Sequence, residues 1–398
     1  ALAMPRSSRL HLRPDVQALR ERVLSTRRDF HQHPELSWHE QRTQGVILER
    51  LRSLGVAEVR PIARTGVTGL VKGGQPGRCV LWRADMDALP VPEKSSLSFA
   101  SQQENVMHAC GHDAHMAIGL GLAEVLQQRR EDLAGSVRFV FQPAEEAAGG
   151  AQACIADGVL DSPHVDVALG LHISADIPLG AINVAPGPFF AAPTAFRITI
   201  EGRGGHAAAP HQSIDAVVVA AYVITALQTV VSRSMPPAET AVLTVGKIAG
   251  GYRGNVIAES ATMTGTIRSY TDAVRETMLR RTEEIVAGVC ASFGATYEFD
   301  HQTSCPPLVN DPGVAEFVRA AGIQYFGEAN ILAAPTMGAE DMGVFLEKRP
   351  GCYFWLGARN ERKGIAGRHH DPAFVIDEDA LLVGVEFGLR LIEGQLAR

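Results

Sequence analysis

The stretch CVLWRADMD, residues 79–87, joins a buried strand pattern (CVLWR) to two closely spaced carboxylates. Two further apolar runs, SVRFVF at 136–141 and VDVALGL at 165–171, have the same strand character. An amphipathic helix is predicted at 113–129, between the first run and SVRFVF. Strands that alternate with helices in this way are typical of a mostly parallel sheet covered on both faces. We therefore predict an α/β fold with a mostly parallel, doubly wound sheet.

The pattern changes at the Pro-Gly-Pro of residues 186–188. The next hundred residues predict strands and helices in the order βαββαβ, the ferredoxin-like arrangement. They lie near 194–201, 213–232, 240–248, 259–268, 272–293 and 296–301. Beyond 306–307 the α/β pattern returns. We predict an inserted α+β domain at 187–302, within a discontinuous α/β domain formed by 1–186 and 303–398.

Composition excludes some partners and favours one compartment. With 46% apolar residues, a net charge of -7 and no basic stripe, the chain has the composition of a globular protein without a nucleic-acid partner. Its most apolar stretch, AVVVAAYVITAL at 216–227, is too short to cross a bilayer and predicts a buried helix, so we expect no membrane partner. Six cysteines without a CxxC pair fit a reducing compartment, and we predict a cytoplasmic protein.

Groups that can bind metal follow each of the three predicted strands directly. Ligand sites in open α/β sheets lie beyond the carboxyl ends of the strands, so these groups are expected to converge. Two more clusters are MHACGHDAH at 107–115, at the start of the predicted helix, and the pair His369 and His370, in a predicted loop near the C-terminus. The groups after the strands are Asp85 and Asp87, Glu145 and Glu146, and His172.

Each of these residues also has a purely structural interpretation. A free cysteine such as Cys110 is often a small buried apolar side chain, and a single histidine such as His172 is often a satisfied core residue. His112, two residues after Cys110, favours a metal pair because both side chains can face one site. Two consecutive carboxylates indicate divided roles, one as metal ligand and the other as general base.

Neighbouring polar residues receive structural roles. We predict that Asp113 is the N-cap of the following helix and that His115 either packs or supports a ligand. The histidines of HQHPELSWHE, residues 31–40, straddle a predicted helix end and are assigned to structure.

Taken together, the motifs resemble the metallopeptidase family that contains the aminoacylases and glutamate carboxypeptidases. Within it, the sequence is most similar to the amidohydrolase branch, which includes the hippurate hydrolases. An aspartate at position 85 and a cysteine at position 110 mark that branch, since other branches carry histidine and a bridging aspartate there. The resemblance covers nearly the whole chain and rests on DFHQHPELSWHE, ADMDALP, MHACGHDAH, FQPAEE, GLH, GRGGHAAAPH, GGYRGNVIAESATMTGTIRS, GAEDM and HHDPAF.

The resemblance implies a site for two divalent ions. Glu145 matches the general base, and Asp87 would orient a ligand histidine. His370 is preferred to His369 because the motif places the ligand two residues before the proline, although Asp371 stands where relatives more often carry a small polar residue. The matched ligands are Cys110, which would bridge the ions, His112, Glu146, His172 and His370.

Three residues of the insert also match family positions. In relatives, the histidine matching His206 reaches the active site of the partner subunit and stabilises the oxyanion. Asn255 and Arg268 would hold a substrate carboxylate. The resemblance thus implies a homodimer, or a tetramer, assembled through the inserted domain.

The expected activity is metal-dependent hydrolysis of N-acyl amino acids (acetyl, benzoyl or other aryl-acyl) to a carboxylic acid and a free amino acid. The alternative in the same family is a metallo-carboxypeptidase or dipeptidase that acts on small peptides. Thiolate, imidazole and carboxylate ligands suit Zn²⁺, Ni²⁺ or Co²⁺, and Mn²⁺ is common in relatives.

Two hypotheses of other classes stay open at this point. A Cys110 nucleophile with a histidine base would leave the paired carboxylates without a role. A sensing or dimerisation module with a structural metal would need only four closing ligands, whereas five candidates are present.

Overall fold

The computed structural model describes residues 10–147, 149–365 and 367–398. Its helices are α1 (Pro14–Ala18), α2 (Arg20–Gln32), α3 (Gln41–Ser53), α4 (His112–Gln128), α5 (Gly150–Ala156), α6 (Ala216–Ser234), α7 (Asp272–Phe293), α8 (Pro312–Phe326), α9 (Met342–Leu346) and α10 (Asp379–Leu396). Its strands are β1 (Ala57–Ile62), β2 (Gly66–Lys72), β3 (Gln75–Asp85), β4 (Ala134–Gln142), β5 (Val167–Pro178), β6 (Ile182–Asn183), β7 (Gly187–Phe190), β8 (Ala192–Glu201), β9 (Gly205–His206), β10 (Ala241–Gly250), β11 (Val256–Ile257), β12 (Ser260–Ser269), β13 (Thr296–Thr303), β14 (Leu308–Asn310), β15 (Ile331–Leu332) and β16 (Gly351–Arg359).

The chain divides into two compact units. The first comprises the residues up to Gly187 together with Val309–Pro335 and Asp341–Arg398, and the second comprises Pro188–Leu308 and Thr336–Glu340. The sequence predicted one continuous insert, 187–302. The second unit of the structure continues to Leu308 and includes a short, distant segment that carries no local signal of its own.

An eight-stranded sheet forms the centre of the first unit, in the order β1-β2-β4-β3-β5-β16-β6-β15. The four central strands, β4, β3, β5 and β16, are parallel. The pairings of β1 with β2, β2 with β4 and β6 with β16 are antiparallel, and the edge strand β15 pairs in parallel with β6. The predicted α/β class with a mostly parallel sheet is confirmed.

Helices cover the sheet on both faces. On one face α4 packs against β3, α2 and α10. On the other face α5 and α9 contact each other, α5 contacts β4, and α9 contacts β5 and β16. The sequence predicted an amphipathic α4, but its residues from His112 to Gln127 are all buried. Gly121 allows this, since a Cβ there would lie 2.9 Å from Val385 Cγ2 on α10. A helix enclosed on every side needs no polar face.

The second unit contains a four-stranded antiparallel sheet in the order β10-β12-β8-β13, packed against α6 and α7. This is the predicted βαββαβ arrangement. The alternation of TAFRITIE is realised in β8, where Phe196, Ile198 and Ile200 are buried and Arg197 is exposed.

α6 is long and apolar enough, by length and composition alone, to cross a membrane, and 33% of its most apolar window is buried. Val219, Val223, Leu227 and Val230 form its buried face at helical spacing and pack into the core of the second unit. This is the pattern of a helix that packs one face on a domain core. The sequence predicted a buried helix from a stretch too short to cross a bilayer, but α6 is longer than that stretch and only this face of it is buried.

Candidate metal centre

The register of the parallel strands brings polar residues to one level at their carboxyl ends. Asp85 pairs with Gln142, and Trp355 pairs with His172. Arg83 pairs with Gly170, so two residues further along, Asp85 and His172 reach the same level. The strand predicted to end at residue 171 continues to Pro178, and His172 therefore lies within β5, two residues beyond the last residue of β5 that pairs with β3. The site forms at the edge of the sheet that the fold class predicts.

A glycine turn presents Cys110 and His112 together. Gly111 has φ 89° and precedes α4, and a Cβ at this residue would lie 2.4 Å from Ile173 Cγ2. Both the backbone angle and the lack of space require glycine. Cys110 Sγ lies 3.4 Å from His172 Nε2, so the turn and β5 meet at the thiol.

The predicted N-cap role of Asp113 is wrong. The N-cap residue of α4 is Gly111, and no side chain caps the helix. Asp113 is buried, and its Oδ2 accepts from Arg27 Nε at 2.9 Å and lies 2.8 Å from His31 Nδ1. Burial with a cationic partner is a stronger use of this carboxylate than a cap, and it gives His31 a structural role.

Two groups of potential ligand atoms share the Cys110 thiol. One contains Cys110, His172 and His369, and the other contains Cys110, His112 and Glu146; within each group the atoms lie within 4.8 Å of one another. Thiolate sulfur is a ligand for divalent ions such as Zn²⁺, so Cys110 could contribute to either group.

Both histidines of the pair near the C-terminus lie at the site. His370 Nε2 is 3.3 Å from Glu146 Oε1, and His370 has φ 65°. The ring of His369 is 5.1 Å from that of His172, and burial lowers the pKa of His369 to about 3. The structure thus brings the predicted ligand His370 to Glu146 and also places His369, which the sequence did not select, beside Cys110 and His172.

The donor set fits a divalent cation. Among the described residues, buried ring nitrogens of His112 and His369 and Oε1 of Glu146 make no well-aligned hydrogen bond, although His112 Nδ1 lies 3.3 Å from Asp87 Oδ1 and His370 Nε2 lies 3.3 Å from Glu146 Oε1. Burial and the nearby carboxylates of Glu146 and Glu145 raise the pKa of Cys110. Burial alone would lower the pKa of His112, but Asp85 and Asp87 raise it to about 10. A bound divalent cation would balance such a surplus of anionic and lone-pair donors in a buried place.

His115 supports the site through hydrogen bonds. Its Nδ1 is 2.5 Å from Asp85 Oδ1, and its Nε2 accepts the Ile173 N–H at 2.8 Å. His172 Nδ1 in turn donates to the Ile173 carbonyl at 2.7 Å, which directs His172 Nε2 toward Cys110. Asp85, His112 and His115 also lie close enough to hold an ion, but both nitrogens of His115 are engaged.

Asp87 connects a histidine to the loop of paired carboxylates. Its Oδ1 lies 3.3 Å from His112 Nδ1 and accepts the Glu145 N–H at 3.1 Å. Its Oδ2 accepts the Glu146 N–H at 3.0 Å and the Ser37 hydroxyl at 2.6 Å. Asp87 is therefore in position to orient His112, the role that the resemblance implies.

The predicted residues of the insert lie in the second unit. His206 is exposed on β9 and pairs with Val256 of β11, and the Ala207 N–H donates to the Asn255 carbonyl at 3.2 Å. Arg268 lies on β12, half-buried, and burial lowers its pKa. His206 and Asn255 are thus neighbours, and all three roles stay predictions.

Comparison with known proteins identifies the family. The profile of peptidase family M20/M25/M40 matches residues 81–394. The chain belongs to this family. The predicted resemblance to a metallopeptidase family is confirmed, and the M20 chain is a hydrolase of the predicted amidohydrolase class.

The M20 chain is similar to known relatives over most of its length. It is 39% identical over 377 residues to thermostable carboxypeptidase 1 of Saccharolobus solfataricus, which covers 94% of this chain and 95% of that protein. It is 42% identical over 296 residues to the N-acyl-L-amino acid amidohydrolase of Geobacillus stearothermophilus, covering 74% and 80%. A dinuclear metal-binding M20 peptidase of Bacillus subtilis superposes with a TM-score of 0.82 at 34% identity, covering 96% and 99% of the two chains.

Proposed function

We propose that this chain hydrolyses the amide bond of N-acyl amino acids and releases a carboxylic acid and a free amino acid. The observation that carries the proposal is the pair of ligand groups that share Cys110, next to a second carboxylate, Glu145. The relative named N-acyl-L-amino acid amidohydrolase supports this substrate class. Two divalent ions would be held by Cys110, His112, Glu146, His172 and His370.

When bound, two divalent ions polarise the amide carbonyl and lower the pKa of the attacking water. Glu145 accepts a proton from that water and returns it to the leaving amine nitrogen, so its carboxylate is regenerated. His206 of the partner subunit donates to the carbonyl oxygen as negative charge develops there. Asn255 and Arg268 bind the substrate's free carboxylate.

A second candidate is a carboxypeptidase or dipeptidase activity on small peptides. The relative named thermostable carboxypeptidase 1 favours it. Peptides and N-acyl amino acids share the two features that this site would recognise, an amide bond and a free α-carboxylate. The two candidates differ only in the group on the acyl side.

Assembly and location complete the proposal. β10 and β13 are edge strands of the second unit, and a hydrogen-bonding edge is normally covered or paired. Tyr222 on α6 and Phe293 on α7 are exposed with their rings 5.1 Å apart, and they support a homodimer or tetramer assembled through this unit. All six cysteines are free and buried, which supports a location in the reducing cytoplasm.

The test is a substrate panel after metal exchange. The protein is stripped with a chelator, reconstituted separately with Mn²⁺, Co²⁺, Zn²⁺ and Ni²⁺, and assayed against N-acetyl and N-benzoyl amino acids and dipeptides. We expect no turnover without metal and higher kcat/KM for the acylated amino acids. Full activity in a metal-free preparation would overturn the metal requirement, and a preference for dipeptides would select the second candidate.

A further inference from the structure

Three consecutive N–H groups in the loop after β4 point at two buried carboxylates. The Ala144 N–H donates to Glu40 Oε1 at 2.9 Å. The next two N–H groups, of Glu145 and Glu146, donate to Asp87 at 3.1 and 3.0 Å. The loop that presents the candidate base Glu145 and the candidate metal ligand Glu146 is therefore fixed through its backbone.

Ala144 adopts an unfavourable backbone conformation in this loop. Its φ is 51°, in the left-handed region, and the residue is fully buried. For a residue with a Cβ, this conformation persists only where surrounding contacts hold it. Glu40 supplies the hydrogen bond at the strained residue itself, one residue before Glu145.

Glutamate is an unusual residue for the N-cap position that Glu40 occupies. It is the N-cap residue of α3, yet its side chain makes no capping hydrogen bond. The carboxylate is fully buried, and besides Ala144 it accepts from the Thr65 hydroxyl at 2.6 Å. Neither partner is charged, and burial raises the pKa of Glu40. A serine or asparagine would cap α3 better at no such cost, so a function other than capping is indicated.

We propose that Glu40 is a positioning residue for Glu145: by holding the Ala144 N–H it fixes the left-handed turn that directs the Glu145 carboxylate at the substrate. The inference rests on the proposed role of Glu145 as general base. It gives a role in the reaction to the stretch HQHPELSWHE, which the sequence assigned to structure alone.

Two substitutions separate the hydrogen bond from the bulk of the side chain. Glu40→Gln keeps an acceptor oxygen near Ala144, whereas Glu40→Met has a similar size and no acceptor. We expect Glu40→Met to lower kcat roughly tenfold with KM changed less than about twofold, because misplacing a catalytic group slows the chemical step. Glu40→Gln is expected to retain most of kcat. Thr65→Val is the matched control, since it removes the other hydrogen bond to Glu40 and leaves the Ala144 contact in place.

A second-site substitution tests the backbone mechanism directly. Glycine adopts a left-handed φ without a steric penalty, so Ala144→Gly should restore most of the lost kcat in the Glu40→Met background. A purely structural role for Glu40 predicts no such restoration. If Glu40→Met alone does not fold, the double variant must both fold and turn over substrate, and a double variant that stays unfolded overturns the proposal.

Hydrogen exchange gives a readout that does not depend on activity. In Glu40→Met we expect faster amide exchange in a peptide containing residues 143–147, with metal content at the wild-type value, while Glu145→Gln should exchange like wild type. If Glu145→Gln is fully active, the proposed general base is wrong, whatever the exchange data show about Glu40. If Glu40→Met exchanges and turns over like wild type, Glu40 does not position the loop.

Discussion

Glu145 and Glu146 are neighbours in sequence with different surroundings. Glu146 reaches His370 and belongs to a ligand group with Cys110 and His112, while both residues are held through their N–H groups by Asp87. The chemical difference between them therefore lies in where each side chain points from a common loop. This permits a clear separation of phenotypes at the residue scale.

Glu145→Gln should lower kcat by at least ~10², the scale of lost general base catalysis, with metal content near wild type. Glu146→Gln should instead reduce metal content, because it replaces an anionic oxygen ligand with a neutral one. The measurements are kcat with the best substrate and metal per chain by atomic emission. Exchange of the two phenotypes between the variants would refute the assignment.

The surroundings of His31 lead us to predict a pH-dependent contribution of this residue to stability. Burial alone would lower the pKa of His31, but Asp113 and Glu93 outweigh it and raise the pKa above its ordinary value. A raised histidine pKa stabilises the fold fully below about pH 6.5, and this contribution is lost as pH rises through the folded-state pKa. The free energy of unfolding lost in His31→Gln should therefore be largest near pH 6 and shrink toward pH 9. Urea unfolding across this range measures it, and a loss that grows with pH would contradict the prediction.

The sequence identified residues whose roles are set by near neighbours and missed roles that are set by distant ones. Cys110 and His112 are recognisable because one glycine separates them. The sequence did not define the roles of Asp85, His115 and Glu40, because much of what they bind (such as His115, the Ile173 N–H and the Ala144 N–H) is contributed by other segments or by backbone. No residue type reveals that a backbone N–H far along the chain needs an acceptor.

At the scale of elements, the amphipathic pattern of α4 was misleading for a physical reason. The sequence predicted a helix with one polar face, yet the histidines and acids of α4 are buried in the site and in ion pairs rather than exposed to solvent. Periodicity reports polarity, and it cannot distinguish a solvated face from one that lines a buried site. The short strands β6 and β15 escaped prediction because two residues each carry no period.

Close packing of α4 gives a stability prediction. Gly121→Ala should reduce the free energy of unfolding by ~1 kcal/mol or more, because its Cβ would meet Val385 at 2.9 Å and Val23 at 3.2 Å. Gly45→Ala is the matched control: a Cβ added to this α3 glycine would have nothing within 4 Å, so alanine should add about 0.5–1 kcal/mol of helix stability. Urea unfolding compares both variants with wild type. Equal effects at the two positions would show that α4 has room to adjust.

At the scale of the whole molecule, the two-unit organisation was predictable because composition and period change together near residue 187. The segment Thr336–Glu340, which joins the second unit, was not predictable. The segment belongs to the second unit through a β-bridge between Thr336 and Phe190, which lies far away in sequence. Five residues are too few to show a pattern from which this could be predicted. The topology of the second unit was predictable because each of its main elements is long enough to show its period.

The proposed dimer can be tested by complementation. If His206 completes the site of the partner subunit, His206→Ala and Glu145→Gln are each inactive as homodimers. A mixed dimer then contains one site with both residues intact, so it should recover about half of the wild-type activity by two-fold symmetry. Subunit exchange is verified by mass spectrometry of differently tagged chains. Exchange without recovered activity would place His206 outside the partner's site.

The common level of Asp85, Gln142, His172 and Trp355 across four strands limits where chain length can vary. Deleting one residue inside β3 would shift Asp85 by about 3.3 Å and turn the side chains that follow to the opposite face of the sheet. The same holds for β4, β5 and β16, whose pairings fix that level. Insertions and deletions compatible with a working site therefore belong in the connections between strands, and a library that varies loop lengths while leaving these four strands intact should be rich in folded, metal-binding variants.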